Sequence, residues 1–83
     1  MYKVIFDDRI EKDLSKIPAI IIKNIFKKIT LIKENPYRKG VKKLIGIEGY
    51  RLRIGNYRVL FQIDEEAKTI KIYRIIHRKD AYK

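Results

Sequence analysis

The Gly-Asn dipeptide at residues 55–56 separates two runs of alternating residues, and it constrains the fold more than any other feature of the sequence. A two-residue Gly-Asn connection is typical of a tight β-hairpin, because glycine readily adopts the positive φ of the first turn position. Such a turn fixes the register, so that Ile54 is predicted to lie opposite Tyr57 and Arg53 opposite Arg58. One face of the hairpin then carries apolar side chains only: Tyr50, Leu52, Ile54, Tyr57, Val59 and Phe61. We expect that face to form the core.

The other face of the hairpin, here named the arginine face, carries Arg51, Arg53 and Arg58. The register puts Arg53 and Arg58 directly opposite each other, where two like charges normally destabilise a strand pair. A purely structural sheet has little reason to keep this pair. The arrangement therefore favours a functional role for the face.

A third strand is predicted over residues 70–77, after a polar loop over residues 64–69. Pairing Ile63 with Ile70 keeps the apolar face continuous, because side chains alternate between the two faces of a strand. This register assigns Ile70, Ile72 and Ile76 to the core face, and Tyr73, Ile75 and His77 to the arginine face. Arg74 then falls on the core face, so either its side chain reaches out at a sheet edge or the loop differs by one residue.

The first half of the chain predicts a strand followed by two helices. Residues 2–6 alternate as a short strand, and Asp7 or Asp8 can cap a first helix, Asp8 having the capping-box spacing to Glu11. Pro18 disfavours helical geometry in the preceding residue and suits the first turn of a second helix. Apolar residues recur at helical spacing on both helices: Ile10, Leu14 and Ile17 on the first, and Ile22, Ile25, Phe26, Ile29 and either Ile32 or Lys33 on the second.

The second helix is predicted to end at residues 35–36, and residues 37–48 read as a basic connecting segment with Leu44 or Ile47 as apolar anchors. The element order predicts a single α+β domain over residues 1–83. Its N-terminal strand belongs to a mostly antiparallel four-stranded sheet, and a two-helix hairpin packs on one face of that sheet. The arginine face stays open.

The composition of the chain limits the kinds of site and partner that we expect. The chain of 83 residues lacks cysteine and has one histidine, so we expect no metal site and no cofactor. The longest apolar stretches, such as residues 19–22, are far too short to span a bilayer, which predicts a cytoplasmic protein without a membrane partner. Lys and Arg number 21 against 10 acidic residues, a formal charge of +11 that favours nucleic acid as the partner.

Two motifs make the chain resemble the RelE/ParE superfamily of toxins from toxin–antitoxin modules, and the RelE branch in particular. They are G-Y-R-x-R-I-G-x-Y-R at residues 49–58 and H-R-x-x-x-Y, formed by His77, Arg78 and Tyr82. The resemblance implies an endoribonuclease, an mRNA interferase that cuts mRNA in the ribosomal A site, where it also meets ribosomal RNA. It further implies a cognate antitoxin, which we expect to supply an acidic or amphipathic segment.

Metal-free cleavage of RNA uses the substrate's 2′-OH as nucleophile, and the protein must move protons and stabilise the charge that develops on the phosphate. Arg58 and Arg78 are the candidates for clamping the scissile phosphate, because guanidinium groups match phosphate oxygens. His77 is the candidate proton donor or acceptor, and Tyr82 can orient the 2′-OH or stack on a base. Five further cations are expected to bind RNA: Arg51, Arg53, Lys42, Lys43 and Lys79.

The sequence departs from the resemblance in two respects. Arg51 and Arg53 stand where relatives often carry lysines, and lysines 42–43 stand near where some relatives carry a carboxylate, with Glu48 close but not aligned. The identity of the general base therefore stays open. Two other functions also stay open: a ParE-like toxin that inhibits gyrase, and a non-catalytic module that binds RNA or the ribosome.

Overall fold

The computed structural model describes residues 1–81 and shows an α+β domain built on a mixed five-stranded sheet. The strand order is β1-β5-β4-β3-β2; β1 is parallel to β5, and the other neighbours are antiparallel. The elements are β1 (Lys3–Phe6), α1 (Arg9–Leu14), α2 (Ala19–Glu34), β2 (Val41–Lys43), β3 (Tyr50–Ile54), β4 (Tyr57–Asp64), β5 (Thr69–His77) and α3 (Arg78–Ala81). Tyr82 lies outside the described residues.

The predicted fold class is confirmed, with one strand more than expected. The connecting segment over residues 37–48 contains β2, which pairs with β3 at the edge of the sheet. Val41 lies opposite Leu52 and is half-buried. Three residues are too short to show the alternation by which a strand is recognised in sequence, so the prediction of four strands was wrong by this edge strand.

The hairpin register is confirmed at every predicted pair. Ile54 lies opposite Tyr57, and Arg53 lies opposite Arg58. Gly55 takes a φ of 58°, which is the left-handed conformation that the two-residue turn requires. The core that follows from this register is closed by α2, whose buried residues Ile25, Ile29 and Ile32 join the apolar face of the sheet.

A β-bulge in β5 overturns part of the predicted third strand. Ile63 pairs with Ile70 as expected, but Leu60 pairs with Arg74 and the next residue, Phe61, pairs with Ile72. Tyr73 is thus the extra residue of a bulge, and the alternation of faces is reversed from residue 74 onward. The structure therefore exchanges the predicted faces of the last residues of β5: Ile75 joins the core, whereas Arg74 and Ile76 join the arginine face.

The reversal also moves the only histidine. His77 pairs with Tyr57, and cross-strand partners share a face, so His77 lies on the side of the core and not on the arginine face. The prediction that His77 joins the arginines was wrong. The length of the loop before β5 is not the cause, because the predicted pairing of Ile63 with Ile70 is present.

Asp13 of α1 holds the bulged part of β5. Its Oδ2 accepts hydrogen bonds from the backbone N–H of Ile75 at 2.9 Å and from Nε of Arg74 at 3.0 Å, and its Oδ1 accepts from Nη2 of Arg74 at 3.3 Å. β1 covers the edge of β5 only as far as Ile72. The buried Asp13 carboxylate thus takes over the role of a neighbouring strand along the rest of that edge.

The start of α1 and the position of one aromatic residue of α2 differ from the predicted pattern. Asp8 is the N-cap of α1 but makes no side-chain capping hydrogen bond, whereas the Asp7 carboxylate accepts from the N–H of Arg9 at 3.0 Å. Phe26, assigned to the core face of the second helix, is 38% exposed and contacts the Phe6 ring at 5.9 Å between centroids. Within residues 1–81, no helix has the length and apolar character needed to cross a membrane.

Candidate nucleic-acid interface

Arg58 lies at the centre of the arginine face, on β4 between Arg53 of β3 and Ile76 of β5. Its side chain is 7% exposed, whereas Arg53 is exposed and Arg51 half-buried. Nε of Arg53 donates to the carbonyl of Gly55 at 3.3 Å, which holds that side chain along the hairpin turn. The hairpin therefore brings three guanidinium groups to one face, as the sequence predicts.

Two neighbouring depressions open on this face and share Arg51 and Arg58 in their walls. The cationic depression has a volume of about 600 Å³ and is lined by Gly40, Lys42, Arg51, Arg53, Gly55 and Arg58. The mixed depression has a volume of about 510 Å³ and joins four arginines to five apolar or aromatic residues: Arg9, Arg51, Arg58 and Arg74, with Leu44, Ile47, Leu60, Tyr73 and Ile76. A third depression, of about 570 Å³, lies at the far end of the sheet around Glu65 and Lys71 and contains none of the predicted site residues.

Aspartates hold two of the arginines in the mixed depression. Arg74 is bound by Asp13 as described, and Nε of Arg9 lies 3.2 Å from Oδ1 of Asp7. The hydrogen bond from the Arg9 backbone, followed by that from its side chain, lowers the pKa of Asp7 below its ordinary value. These ion pairs fix the positions of the two guanidinium groups while reducing the positive charge that they present.

Tyr73, the bulge residue, packs against a glycine whose backbone conformation and close neighbours leave little room for a side chain. Gly49 has a φ of 138°, and a Cβ atom there would lie 3.1 Å from the carbonyl oxygen of Phe61 and 3.2 Å from the Tyr73 hydroxyl. Burial raises the pKa of Tyr73, so its hydroxyl stays protonated at neutral pH. A neutral hydroxyl can both donate and accept a hydrogen bond in the mixed depression.

His77 and Arg78 lie at the end of β5, beside the hairpin turn. The His77 ring packs edge-on against Tyr57, with 5.1 Å between the centroids, and its Nδ1 accepts from the backbone N–H of Lys79 at 3.1 Å. That hydrogen bond assigns the proton of the neutral ring to Nε2. The backbone N–H of Arg78 donates to the carbonyl of Asn56 at 2.7 Å, which ties the start of α3 to the turn.

The structure separates the two predicted lysines of β2. Lys42 pairs with Arg51 and lines the cationic depression, but Lys43 pairs with Tyr50 and therefore lies on the opposite face. Arg78 and Lys79 are exposed in α3. Tyr82, the remaining predicted site residue, lies outside the described residues.

Several residues that line the mixed depression were not predicted as site residues. Arg9 reaches it from α1, Leu44 and Ile47 from the β2–β3 connection, and Ile76 only because of the bulge. The one available signal was Arg74, a charged residue at a position predicted for the core. Neither depression is lined by a carboxylate or an imidazole from residues 1–81, and that part of the chain has no His, Cys, Asp and Glu group able to hold a metal ion.

A family model and individual relatives that match this sequence indicate the same kind of protein. Residues 4–82 match the model of a family described as the ParE toxin of the type II toxin-antitoxin system, parDE. Toxin RelE3 of Methanocaldococcus jannaschii is 35% identical to this chain over 89 residues, covering 96% of this chain and 94% of the relative. Toxin RelG of Mycobacterium tuberculosis is 32% identical over 84 residues, covering 99% and 97%.

Solved structures show the same fold. The toxin-antitoxin complex RelBE2 from Mycobacterium tuberculosis contains a chain with a TM-score of 0.83 and 30% identity, covering 93% of this chain and 98% of that one. A RelB-RelE complex from Methanococcus jannaschii gives a TM-score of 0.79 and 32% identity, with 94% of both chains covered. The isolated RelE toxin of E. coli, at 21% identity and a TM-score of 0.80, agrees in fold.

Proposed function

The chain belongs to the RelE/ParE superfamily of toxins from type II toxin-antitoxin systems, and from this premise we propose that it is a ribosome-dependent endoribonuclease. It cleaves mRNA in the ribosomal A site without a metal ion, uses the RNA 2′-OH as nucleophile and so arrests translation. A cognate antitoxin neutralises it.

The opposed pair of Arg53 and Arg58 is the observation that carries this proposal. Guanidinium groups on neighbouring strands can bind the oxygens of one phosphate together, so the opposed pair suits an anionic ligand. Arg58 is held by burial at the centre of the sheet, and donors that are already positioned stabilise developing charge most effectively. Arg58 is therefore the proposed clamp for the scissile phosphate.

The sheet end near the hairpin turn is the proposed location of the reaction. The backbone of Arg78 is tied to Asn56 there, and its side chain is proposed as a second cation for the scissile phosphate. His77 lies at the same end of the sheet, next to Tyr57 and on the core side, and is proposed as the group that donates or accepts a proton during cleavage. Tyr82 remains a candidate for orienting the 2′-OH. Arg51, Lys42 and Lys79 are proposed to hold flanking phosphates; Lys43, on the opposite face, is not.

A cognate antitoxin is proposed as the protein partner, because the solved relatives from Mycobacterium tuberculosis and Methanococcus jannaschii are toxin–antitoxin complexes. The open arginine face favours an acidic or amphipathic segment in that antitoxin, since opposite charges on the two partners improve both specificity and association rate.

Primer extension on a translated mRNA with purified ribosomes tests the proposal. Discrete cuts in phase with codons are expected with this protein, and no cuts are expected when the antitoxin is added first. His77→Gln should lower the cleavage rate by roughly 10² to 10⁴ if its ring transfers a proton. A message that stays intact on translating ribosomes would overturn the proposed endoribonuclease activity.

Inhibition of DNA gyrase is the second candidate function, and it is favoured by the match to a family described as ParE toxins. A supercoiling assay with purified gyrase distinguishes it. Loss of supercoiling with intact mRNA would identify a gyrase inhibitor, and a protein that affects neither reaction would be a binding module.

A further inference from the structure

We propose that the apolar half of the mixed depression is a binding subsite for one unstacked nucleobase of the bound RNA. The inference rests on the proposed function, since it deepens how that site holds its substrate. The base would enter beside Leu44, Ile47, Leu60 and Ile76, while its neighbouring phosphate lies on Arg51 and Arg58.

The size and the walls of the depression fit such a ligand. Its volume of about 510 Å³ falls in the range of small-molecule sites. Three separate parts of the fold supply the apolar wall: the β2–β3 connection gives Leu44 and Ile47, β4 gives Leu60 and β5 gives Ile76. Single-stranded nucleic acids are bound in this way, by an apolar or aromatic surface for the base next to a basic path for the backbone.

Polar groups at the depression can recognise the edge of a base. The Tyr73 hydroxyl is neutral at physiological pH and can donate or accept a hydrogen bond. Asp13 bonds Nε and Nη2 of Arg74, which fixes the plane of the guanidinium group. A planar base suits a planar, fixed guanidinium group, through stacking or through hydrogen bonds to its edge.

The neighbouring cationic depression argues for RNA as the occupant. It shares Arg51 and Arg58 with the mixed depression and is lined only by cations and glycines. A ligand that occupies both must be anionic along its whole course and apolar at one point. A nucleic-acid strand, with a charge at every repeat, meets that description better than a peptide that alternates acidic and apolar residues.

The bulge explains why the subsite exists. Without it, the predicted alternation would direct Ile76 into the core and Ile75 toward the arginines. With it, Ile76 stands opposite Arg58, so that an apolar side chain lies directly beside the proposed phosphate clamp. The same irregularity adds Arg74 to Tyr73 at the depression.

Abasic RNA combined with a pair of loop variants tests the inference. Ile47 lines the depression and is 67% exposed, so Ile47→Ala should fold normally; Ile45, in the same loop and 98% exposed, does not line it and provides the matched control. Binding of short single-stranded RNAs, each with one abasic ribose at a different position, is measured by fluorescence anisotropy at low salt and without ribosomes.

One abasic position is expected to weaken binding to the unaltered protein and to Ile45→Ala by about 5- to 100-fold, the range of single base contacts. Ile47→Ala should lose much less affinity with the same abasic RNA, because this variant already lacks part of the contact with the base. Equal losses in all three proteins, or no binding of any RNA, would overturn the subsite. Weaker antitoxin binding by Ile47→Ala, with RNA binding unchanged, would also overturn it and identify a peptide site.

The assay separates this inference from the proposed function. Coupling between Ile47 and one base, together with intact mRNA in the ribosome assay, would keep the subsite and remove the endoribonuclease activity. Codon-phased cleavage without that coupling would do the reverse.

Discussion

At the scale of single residues, Arg58 is the side chain whose replacement should be most informative. Arg58→Ala removes the proposed phosphate clamp, and we expect single-turnover cleavage on ribosomes to fall by about 10² to 10³, the usual loss for one positioned donor. Arg58→Lys keeps the charge but loses the guanidinium fork, so its rate should lie between the two.

The control for Arg58 is Lys27→Ala, which removes the same charge from the exposed surface of α2. Because Arg58 is 7% exposed, urea unfolding of each variant must accompany the rate measurement. A folded Arg58→Ala protein that cuts messages at the parental rate would show that another group binds the scissile phosphate.

Glu65 is a second residue with a measurable signature, this time in the stability of the fold. Its carboxylate accepts hydrogen bonds from the hydroxyls of Tyr37 and Tyr2 and from Nζ of Lys68. The Tyr37 hydrogen bond is the largest cause that lowers the Glu65 pKa to about 2 from an ordinary 4.5. A lowered carboxyl pKa stabilises the fold above the unfolded value and loses that contribution as the pH falls toward 2.

Glu65→Gln should therefore flatten the decrease in unfolding free energy between pH 4.5 and 2. Urea unfolding across that range measures it, and Glu66→Gln, a change to the adjacent exposed carboxylate, is the control. The same contact raises the Tyr37 pKa to about 12, so its contribution is complete below pH 10 and is lost toward pH 12. Identical acid profiles for both variants would contradict the assignment.

At the scale of elements, the Asp13 carboxylate determines the course of β5. Asp13→Ala leaves the N–H of Ile75 without its acceptor, and an unsatisfied buried donor costs about 1 to 3 kcal/mol. Asp13→Asn can keep that hydrogen bond through its amide oxygen while losing the charge opposite Arg74, so we expect a smaller loss. The unfolding free energy in urea measures both.

Asp8→Ala is the matched control for Asp13, because Asp8 caps α1 without a side-chain hydrogen bond and should change stability by less than about 0.5 kcal/mol. Hydrogen exchange at the amide of Ile75 gives a second readout that responds only to this edge. Equal stability of Asp13→Ala and Asp8→Ala would mean that the bulge is held by the strand itself.

The strands also show which parts of the fold can be predicted from the sequence. The hairpin was predicted to the residue because its register is set locally, by a two-residue turn and by alternating side chains. The bulge was missed because its cause, Asp13, lies on a helix far away in sequence. The only local sign of the bulge was a charged residue, Arg74, at a position predicted for the core. That sign was consistent with either an edge residue or a different loop length.

The candidate site was likewise predicted only in part. Its arginines on β3 and β4 were predicted because the hairpin turn places them together. The apolar wall was not predicted, since Leu44, Leu60 and Ile76 become neighbours only when a loop packs against two strands. His77 was assigned to the wrong face because its side depends on the bulge at Tyr73, which its own sequence neighbourhood does not show.

At the scale of the whole molecule, the net charge of +11 is distributed unevenly along the sheet. The β4–β5 turn at one end carries acidic residues 64–66, whereas the hairpin turn at the other end lies beside Arg53, Arg58 and Arg78. An anion approaching this surface is therefore directed toward the hairpin end, and such steering weakens as salt is added.

The position of the charge, and not only its sum, should decide how binding depends on salt. Arg53→Ala and Lys27→Ala change the net charge equally, but Arg53 lines the cationic depression and Lys27 lies on α2, which packs on the opposite side of the sheet. In plots of log affinity for single-stranded RNA against log salt concentration, each phosphate contact contributes a slope of about −0.7. Arg53→Ala should make the slope shallower by about that amount, while Lys27→Ala should leave it unchanged. Equal changes of slope in both variants would show that RNA affinity depends on the total charge of the protein. The arginine face would then not be the RNA-binding surface.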